Sequence, residues 1–171
     1  MAHKQQIEFC KRVKERFPDK FIGSVLDVGS LDINGNNKHL FKRCVYTGVD
    51  IVAGKNVDIV KHCHLLNGWS NSFDIVISTE MLEHDKHWIE SLKNMYDMVK
   101  SGGLLIITCA TYGRKPHGVK GSRPSDSPAT NDYYRNIQVK DFRKVLDRDS
   151  FKDKEFMIDT ATCTLMFWGV K

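Results

Sequence analysis

No apolar run in the 171 residues approaches the ~20 needed to cross a bilayer. The opening Met1-Ala-His-Lys-Gln-Gln has none of the apolar core of a secretory signal, so cytoplasm is the expected setting and no membrane partner is expected. The five cysteines (Cys10, Cys44, Cys63, Cys109 and Cys163) are odd in number, far apart and free of any C-x-x-C pair. That argues against a disulfide framework or a structural zinc site and for reduced thiols. Strong charge is absent too. The net charge of +5 is mild, with Lys and Arg scattered among 21 acidic residues, whereas a nucleic-acid binder concentrates its positive charge in a patch. The one local concentration, Arg114, Lys115, Lys120 and Arg123, reads as a solvated loop. Repeats and low-complexity tracts are missing as well.

What is present is an ordinary globular composition, 41% hydrophobic and 27% charged, in a length that suits one domain over residues 1–171. Residues 3–17 space Ile7, Phe9, Cys10, Val13 and Phe17 for an amphipathic leading helix, ended by Pro18. Phe21 to Val28 is a buried strand. Asn36 to Cys44 reads as a short helix, Val45 to Ile51 as a second strand, and Asn56 to His62 as a weaker third. Ser72 to Ser78 is a clear strand, followed by a helix from about Lys86 to Val99. Ser101-Gly-Gly103 is expected to terminate that helix with a left-handed cap.

Leu104 to Ala110 is apolar on both faces and fits the middle of a sheet. From Thr111 to Asn131 the pattern stops, and a long structureless segment of this kind is usually a lid or binding loop. Val139 to Leu146 is a helix. Lys154 to Thr160 and Thr162 to Val170 are strands too closely joined for anything but an antiparallel hairpin. The expected fold is α/β, Rossmann-like and doubly wound, with a mostly parallel seven-strand sheet and a C-terminal antiparallel hairpin.

The chemistry gathers at Val25-Leu-Asp-Val-Gly-Ser-Leu-Asp-Ile-Asn-Gly35 and Tyr46-Thr-Gly-Val-Asp50. A strand ending in Asp27 and Gly29 lets backbone approach a ligand, and a carboxylate closing the next strand suits ribose hydroxyls. Gly29 and Asp50 are 21 residues apart, as one joining helix would place them. This pattern holds a nucleotide-like cofactor.

The order of elements resembles the class I S-adenosylmethionine-dependent methyltransferases from about Phe21 to Val170, and within them the small-molecule group. Val25-Leu-Asp-Val-Gly29 and Tyr46-Thr-Gly-Val-Asp50 look like that family's first two motifs. Phe73-Asp-Ile-Val-Ile-Ser-Thr-Glu-Met-Leu-Glu-His84 is similar to its fourth-strand signature. Met98-Val-Lys-Ser-Gly-Gly-Leu-Leu-Ile-Ile-Thr108 resembles its next helix, turn and strand. There are two departures: Leu31 stands where a second glycine is usual, and His62 where the third strand commonly ends in an acid that meets adenine.

The resemblance implies methyl transfer from S-adenosylmethionine to a small-molecule or sugar-linked acceptor. Asp27 and Gly29 would meet the methionyl end, Asp50 the ribose and Ile51 an adenine face, with Ser30, His62, Cys63 and Thr79 completing the cofactor set. A non-catalytic cofactor-binding or interaction domain and a nicotinamide-dependent oxidoreductase are the alternatives. The broken glycine spacing and the terminal hairpin speak against the second.

No metal-ligand set is expected. His62 and His64 would share one face of a strand with Cys63 on the other, and two ligands do not complete a zinc site. Catalysis is placed on His84 and Tyr134. His84, beside Glu80 and Glu83, has a ring suited to taking a proton near neutrality, or it could fix its loop by hydrogen bonding. Tyr112, His117, Tyr133, Tyr134 and Arg135 would face the acceptor from a lid over residues 111–135, or anchor that loop.

Overall fold

The computed structural model describes residues 4–171, so the expected helix start at His3 falls outside the described residues. Helix α1 (Lys4–Arg16) turns Phe9, Cys10 and Val13 inward. It is followed by β1 (Gly23–Val28), β2 (Cys44–Asp50), β3 (Ile59–Val60), β4 (Phe73–Thr79), α2 (Trp88–Met98), β5 (Val99–Ala110), α3 (Val139–Val145), β6 (Asp153–Asp159) and β7 (Thr164–Val170). The strands form one sheet in the order β3-β2-β1-β4-β5-β7-β6. The first five are parallel, and β7 runs antiparallel to both β5 and β6. The order reverses beside β1, where β2 lies on one side and β4 on the other. In open α/β sheets, ligands bind in the crevice at the carboxyl ends of the strands at such a point.

Both faces of the sheet are covered. Phe9, Cys10 and Val13 of α1 pack with Phe21, Phe41, Ile75, Ile106 and Trp168 on one side. Leu92 and Met95 of α2 and Phe142 of α3 pack with Leu26, Val76, Leu105, Ile107 and Phe167 on the other. Alternate residues of β4 and β5 therefore go to opposite cores, which is why those strands read as continuous apolar runs.

Four expectations need correction. The helix expected between β1 and β2 is a single 3₁₀ turn, Lys38–Phe41, whose Leu40 and Phe41 are buried. With only that apolar pair to anchor it, a longer helix would have no second turn to bury. The third strand is two residues long, paired at Val49↔Ile59 and Asp50↔Val60.

Helix α2 ends at Met98 because Val99 already adopts extended geometry (φ −70°, ψ 132°) to pair with Phe73. Gly102 does take a positive φ of 76°, but inside a bulge of β5, where the register shifts between Phe73 and Ile75. Finally, Cys63–Leu65 is a 3₁₀ turn, so the strand alternation expected of His62, Cys63 and His64 does not apply.

Candidate functional site

A cavity of about 670 Å³ opens at the carboxyl ends of β1, β2 and β4, within the ~300–1,000 Å³ range of small-molecule sites. Asp27, Gly29, Ser30, Asp50, Ile51, His62, Cys63, Thr79 and His84 all line it. Residues spread over 58 positions of sequence are thus brought to one rim by the parallel register, in which Asp27 pairs with Gly48 on one side and Ile77 on the other.

Asp27 is 4% exposed and accepts a 2.7 Å hydrogen bond from the Tyr46 hydroxyl. Burial pushes its carboxyl up to about 6, with the Tyr46 hydrogen bond opposing. Gly29 turns the chain at φ +83°, and the amides of Gly29 and Ser30 both donate to Val49 O, at 2.8 and 3.1 Å. The buried Ser30 hydroxyl has no hydrogen-bond partner. At the end of β2, Asp50 accepts from Leu31 N at 3.1 Å and Val52 N at 3.2 Å. Burial raises its carboxyl, while those backbone amides oppose the rise. Each oxygen keeps a lone pair for a further donor.

His62 is exposed at the cavity mouth and Cys63 is buried behind it. The Cys63 thiol is directed at Ser91 O (3.6 Å), and burial pushes it up to about 12. Cys63 therefore serves as wall, not as a reactive group. The rings of His64 and His87 lie with centroids 4.1 Å apart, tilted by 33°, and both residues line the cavity.

The fourth-strand turn is strained. Glu80 has φ +55°, a conformation that a non-glycine residue holds at a cost of ~1–3 kcal/mol. It is fixed by its backbone N–H donating to Thr108 O (2.8 Å), by Thr108 Oγ1 donating to Oε1 (2.9 Å), and by Arg114 at 3.8 Å from Oε2. Three residues on, Glu83 is fully buried, and burial together with the Glu80 charge holds its carboxyl well above the usual range. His84 is 7% exposed, and burial lowers its ring to about 3, the neighbouring His117 adding to the effect. A ring so reluctant to take a proton is a weak general base.

Tyr134 packs edge-on against His84 (5.4 Å) and His117 (5.0 Å), and its hydroxyl donates to Asn136 at 2.9 Å. It does not line the cavity, whereas Asp126, Ser127 and Tyr133 do. Tyr112 is 81% exposed. Arg135 stacks over Trp88 (5.3 Å) and pairs with Asp141 (3.5 Å), away from the cavity. Asn37, Met81 and His87 line the cavity without having been expected there. Asn37 carried one usable signal, its place in a polar turn after a glycine strand end. His87 carried none, because only folding brings it to His64.

The family whose profile matches residues 1–153 is described as a methyltransferase domain. A search of curated proteins found no match. Among solved structures, the Burkholderia thailandensis 1,6-didemethyltoxoflavin-N1-methyltransferase, determined with bound 1,6-didemethyltoxoflavin and S-adenosylhomocysteine, is similar over 97% of this chain and 78% of its own (16% identity, TM-score 0.65). A Haemonchus contortus phosphoethanolamine N-methyltransferase, determined with S-adenosyl-L-methionine, matches 96% of this chain at 17% identity and TM-score 0.68, and the match spans 52% of its own length. An Archaeoglobus fulgidus S-adenosylmethionine-dependent methyltransferase matches 96% of this chain and 94% of its own (15% identity, TM-score 0.66). At these identities the likeness is one of fold. With the profile spanning most of the sequence and the seven-strand order β3-β2-β1-β4-β5-β7-β6 in place, the chain belongs to the methyltransferase domain family and has the class I architecture.

Proposed function

We propose that the protein transfers a methyl group from S-adenosylmethionine to a small polar acceptor in the cytoplasm, as a single domain whose residues 111–135 act as a lid. The observation that carries this reading is the cavity where the sheet order reverses, lined at once by the left-handed Gly29 turn and the Asp50 carboxylate.

The cavity suits the cofactor's chemistry. The unpartnered Ser30 Oγ and Asn37 Oδ1 are buried polar atoms at the β1 end, open to a ligand's donors and acceptors. Asp27 offers a carboxylate to the methionyl ammonium, and the spare lone pairs of Asp50 suit two ribose hydroxyls. Ile51, His62 and Cys63 form an apolar and aromatic wall for adenine, and Thr79 closes the cavity beside β4.

When bound, the cofactor supplies an activated methyl group on a sulfonium centre. An acceptor held in line with that methyl group would take it on its nucleophilic atom, the sulfonium becoming a neutral thioether and the acceptor's proton passing to solvent. The protein's share is alignment and exclusion of water. Tyr133, Ser127 and Asp126 cover the cavity from the lid segment. His84 belongs to the wall near the acceptor, and Tyr134 supports it from behind.

Isothermal calorimetry with S-adenosylmethionine, S-adenosylhomocysteine and NAD tests the reading. Binding of the first two and none of the third is expected. A preference for NAD would overturn it.

A further inference from the structure

Three buried donor atoms converge where the turn after β4 meets the lid segment. Glu83 Oε2, His84 Nδ1 and His117 Nε2 each have no hydrogen-bond partner, and one ligand atom from each of these three side chains lies within 4.8 Å of the other two. Glu83 is fully buried and His84 is 7% exposed. Buried polar atoms are paired in the great majority of cases. Three unpaired atoms at one point call for a shared partner.

The other atoms of these side chains fix what the three can do. Glu83 Oε1 accepts from Ala110 N at 3.2 Å, which aims Oε2 at the histidines. His117 Nδ1 lies 3.2 Å from Lys115 O. An N–H donated to that carbonyl selects the tautomer that leaves a lone pair on Nε2, the relation that outer carbonyls bear to metal-bound histidine. The His84 ring has a backbone hydrogen bond to Tyr133 while Nδ1 stays unpartnered. With Glu83 ionised, the point of convergence is two imidazole lone pairs and one carboxylate oxygen, all acceptors. Acceptors cannot satisfy one another.

We propose that Glu83, His84 and His117 bind one divalent transition-metal ion of the zinc type, leaving coordination positions open toward the cavity. Two imidazole nitrogens and one carboxylate oxygen are a ligand set that such ions take, with a further position free for water or substrate. Bonds of ~2.0–2.2 Å place tetrahedral ligand atoms ~3.3 Å apart, so a group spread over as much as 4.8 Å must close by up to ~1.5 Å. Glu83 and His84 are fixed on the turn Leu82–His84. His117 belongs to the irregular segment and can make that movement. Gly118 permits it. At φ +66°, a Cβ there would lie 2.5 Å from Ser127 Cβ and 3.0 Å from His84 Cε1. The ion would tie the lid to the sheet edge and hold its open positions beside the cavity, where a coordinated hydroxyl would lose its proton more readily. Metal uptake does not depend on the cofactor assignment, since it is read without methyl transfer.

The test is a Co²⁺ titration of chelator-dialysed protein, followed by visible absorption, with Zn²⁺ as competitor. One Co²⁺ per chain, displaced by Zn²⁺, is expected. His117→Ala, a loop change that leaves the core intact, should weaken affinity by more than the ~10–100-fold that loss of an outer partner causes. Glu83→Gln should do the same, and His39→Ala, on the surface, should bind as the parent does. Tryptic cleavage after Lys120, three residues beyond His117, gives a second readout, and it should slow on Co²⁺ addition in the parent but not in His117→Ala. No uptake by the parent, or uptake unchanged in His117→Ala, would overturn the proposal.

Discussion

The Tyr46 hydroxyl reaches across two adjacent parallel strands to the buried Asp27 carboxylate, 2.7 Å away. Asp27 pairs with Gly48, so Tyr46 is the diagonal neighbour on the same face. Burial still dominates and pushes Asp27 from an ordinary 3.8 up to about 6. The folded protein thus keeps a proton that the unfolded chain has already lost. Between about pH 4 and about 6 the native state binds more protons, and stability falls as pH rises through that window. The rise from 3.8 to about 6 corresponds to ~3 kcal/mol at neutral pH. Asp27→Asn should flatten the slope and raise the melting temperature at pH 7 while weakening cofactor binding. Parallel melting curves against pH for the two proteins would refute this account.

Gly29→Ala should lower both stability and cofactor affinity. The residue would be held at φ +83°, and its Cβ would lie 2.6 Å from Met81 Cβ. The backbone conformation alone costs a non-glycine residue ~1–3 kcal/mol. Chemical denaturation and calorimetry on the same preparation measure the two effects. A variant of unchanged stability would show that the turn adapts freely.

Asp50→Ala should weaken S-adenosylmethionine binding by ~1.5–3 kcal/mol through loss of charge-assisted hydrogen bonds to the ribose. A modest loss of stability should accompany it, because the Leu31 and Val52 amides lose their acceptor. Affinity equal to the parent's in the folded variant would place the ribose partner elsewhere.

Tyr133 and Tyr134 should behave differently although they are adjacent. Tyr133 lines the cavity, so Tyr133→Ala should raise the acceptor KM and leave cofactor affinity unchanged. Tyr134→Phe removes only the hydrogen bond to Asn136, a loss of ~1 kcal/mol in stability, and should affect turnover less. Steady-state kinetics with an active acceptor decides between them. A collapse of turnover in Tyr134→Phe would restore that hydroxyl to the chemistry.

The parts of this fold that could be read in the sequence are those where one residue type has one physical use. The runs around Val25, Ile75 and Leu105 are apolar on both faces because both sides of the sheet are covered, and the short link at Ala161 permits only a hairpin. Gly29 and Asp50 were legible because a left-handed turn and a strand-end carboxylate each follow from local geometry. The connection after β1 was not, since Leu40 and Phe41 satisfy a 3₁₀ turn as well as a helix. Nor was the meeting of His117 with His84. They are 33 residues apart, and only the path of the irregular segment brings their rings to 4.9 Å. Tyr134 carried the right chemistry, but its side chain turns to Asn136 instead of the cavity.

The loop from Gly29 to Asn37 has a consequence for how salt acts on this protein. A long helix at that place would bring aligned peptide dipoles, organised once it folds. Here the amides point wherever the loop's own bonds hold them, and Asp32 is the hub. It accepts from Gly35 N (2.9 Å) and Asn36 Nδ2 (2.7 Å) and pairs with Lys55 at 2.7 Å. The Lys55 side chain is 75% exposed, so ionic strength screens that pair directly. Added electrolyte should then loosen the shape of the loop as well as its attraction for a charged ligand.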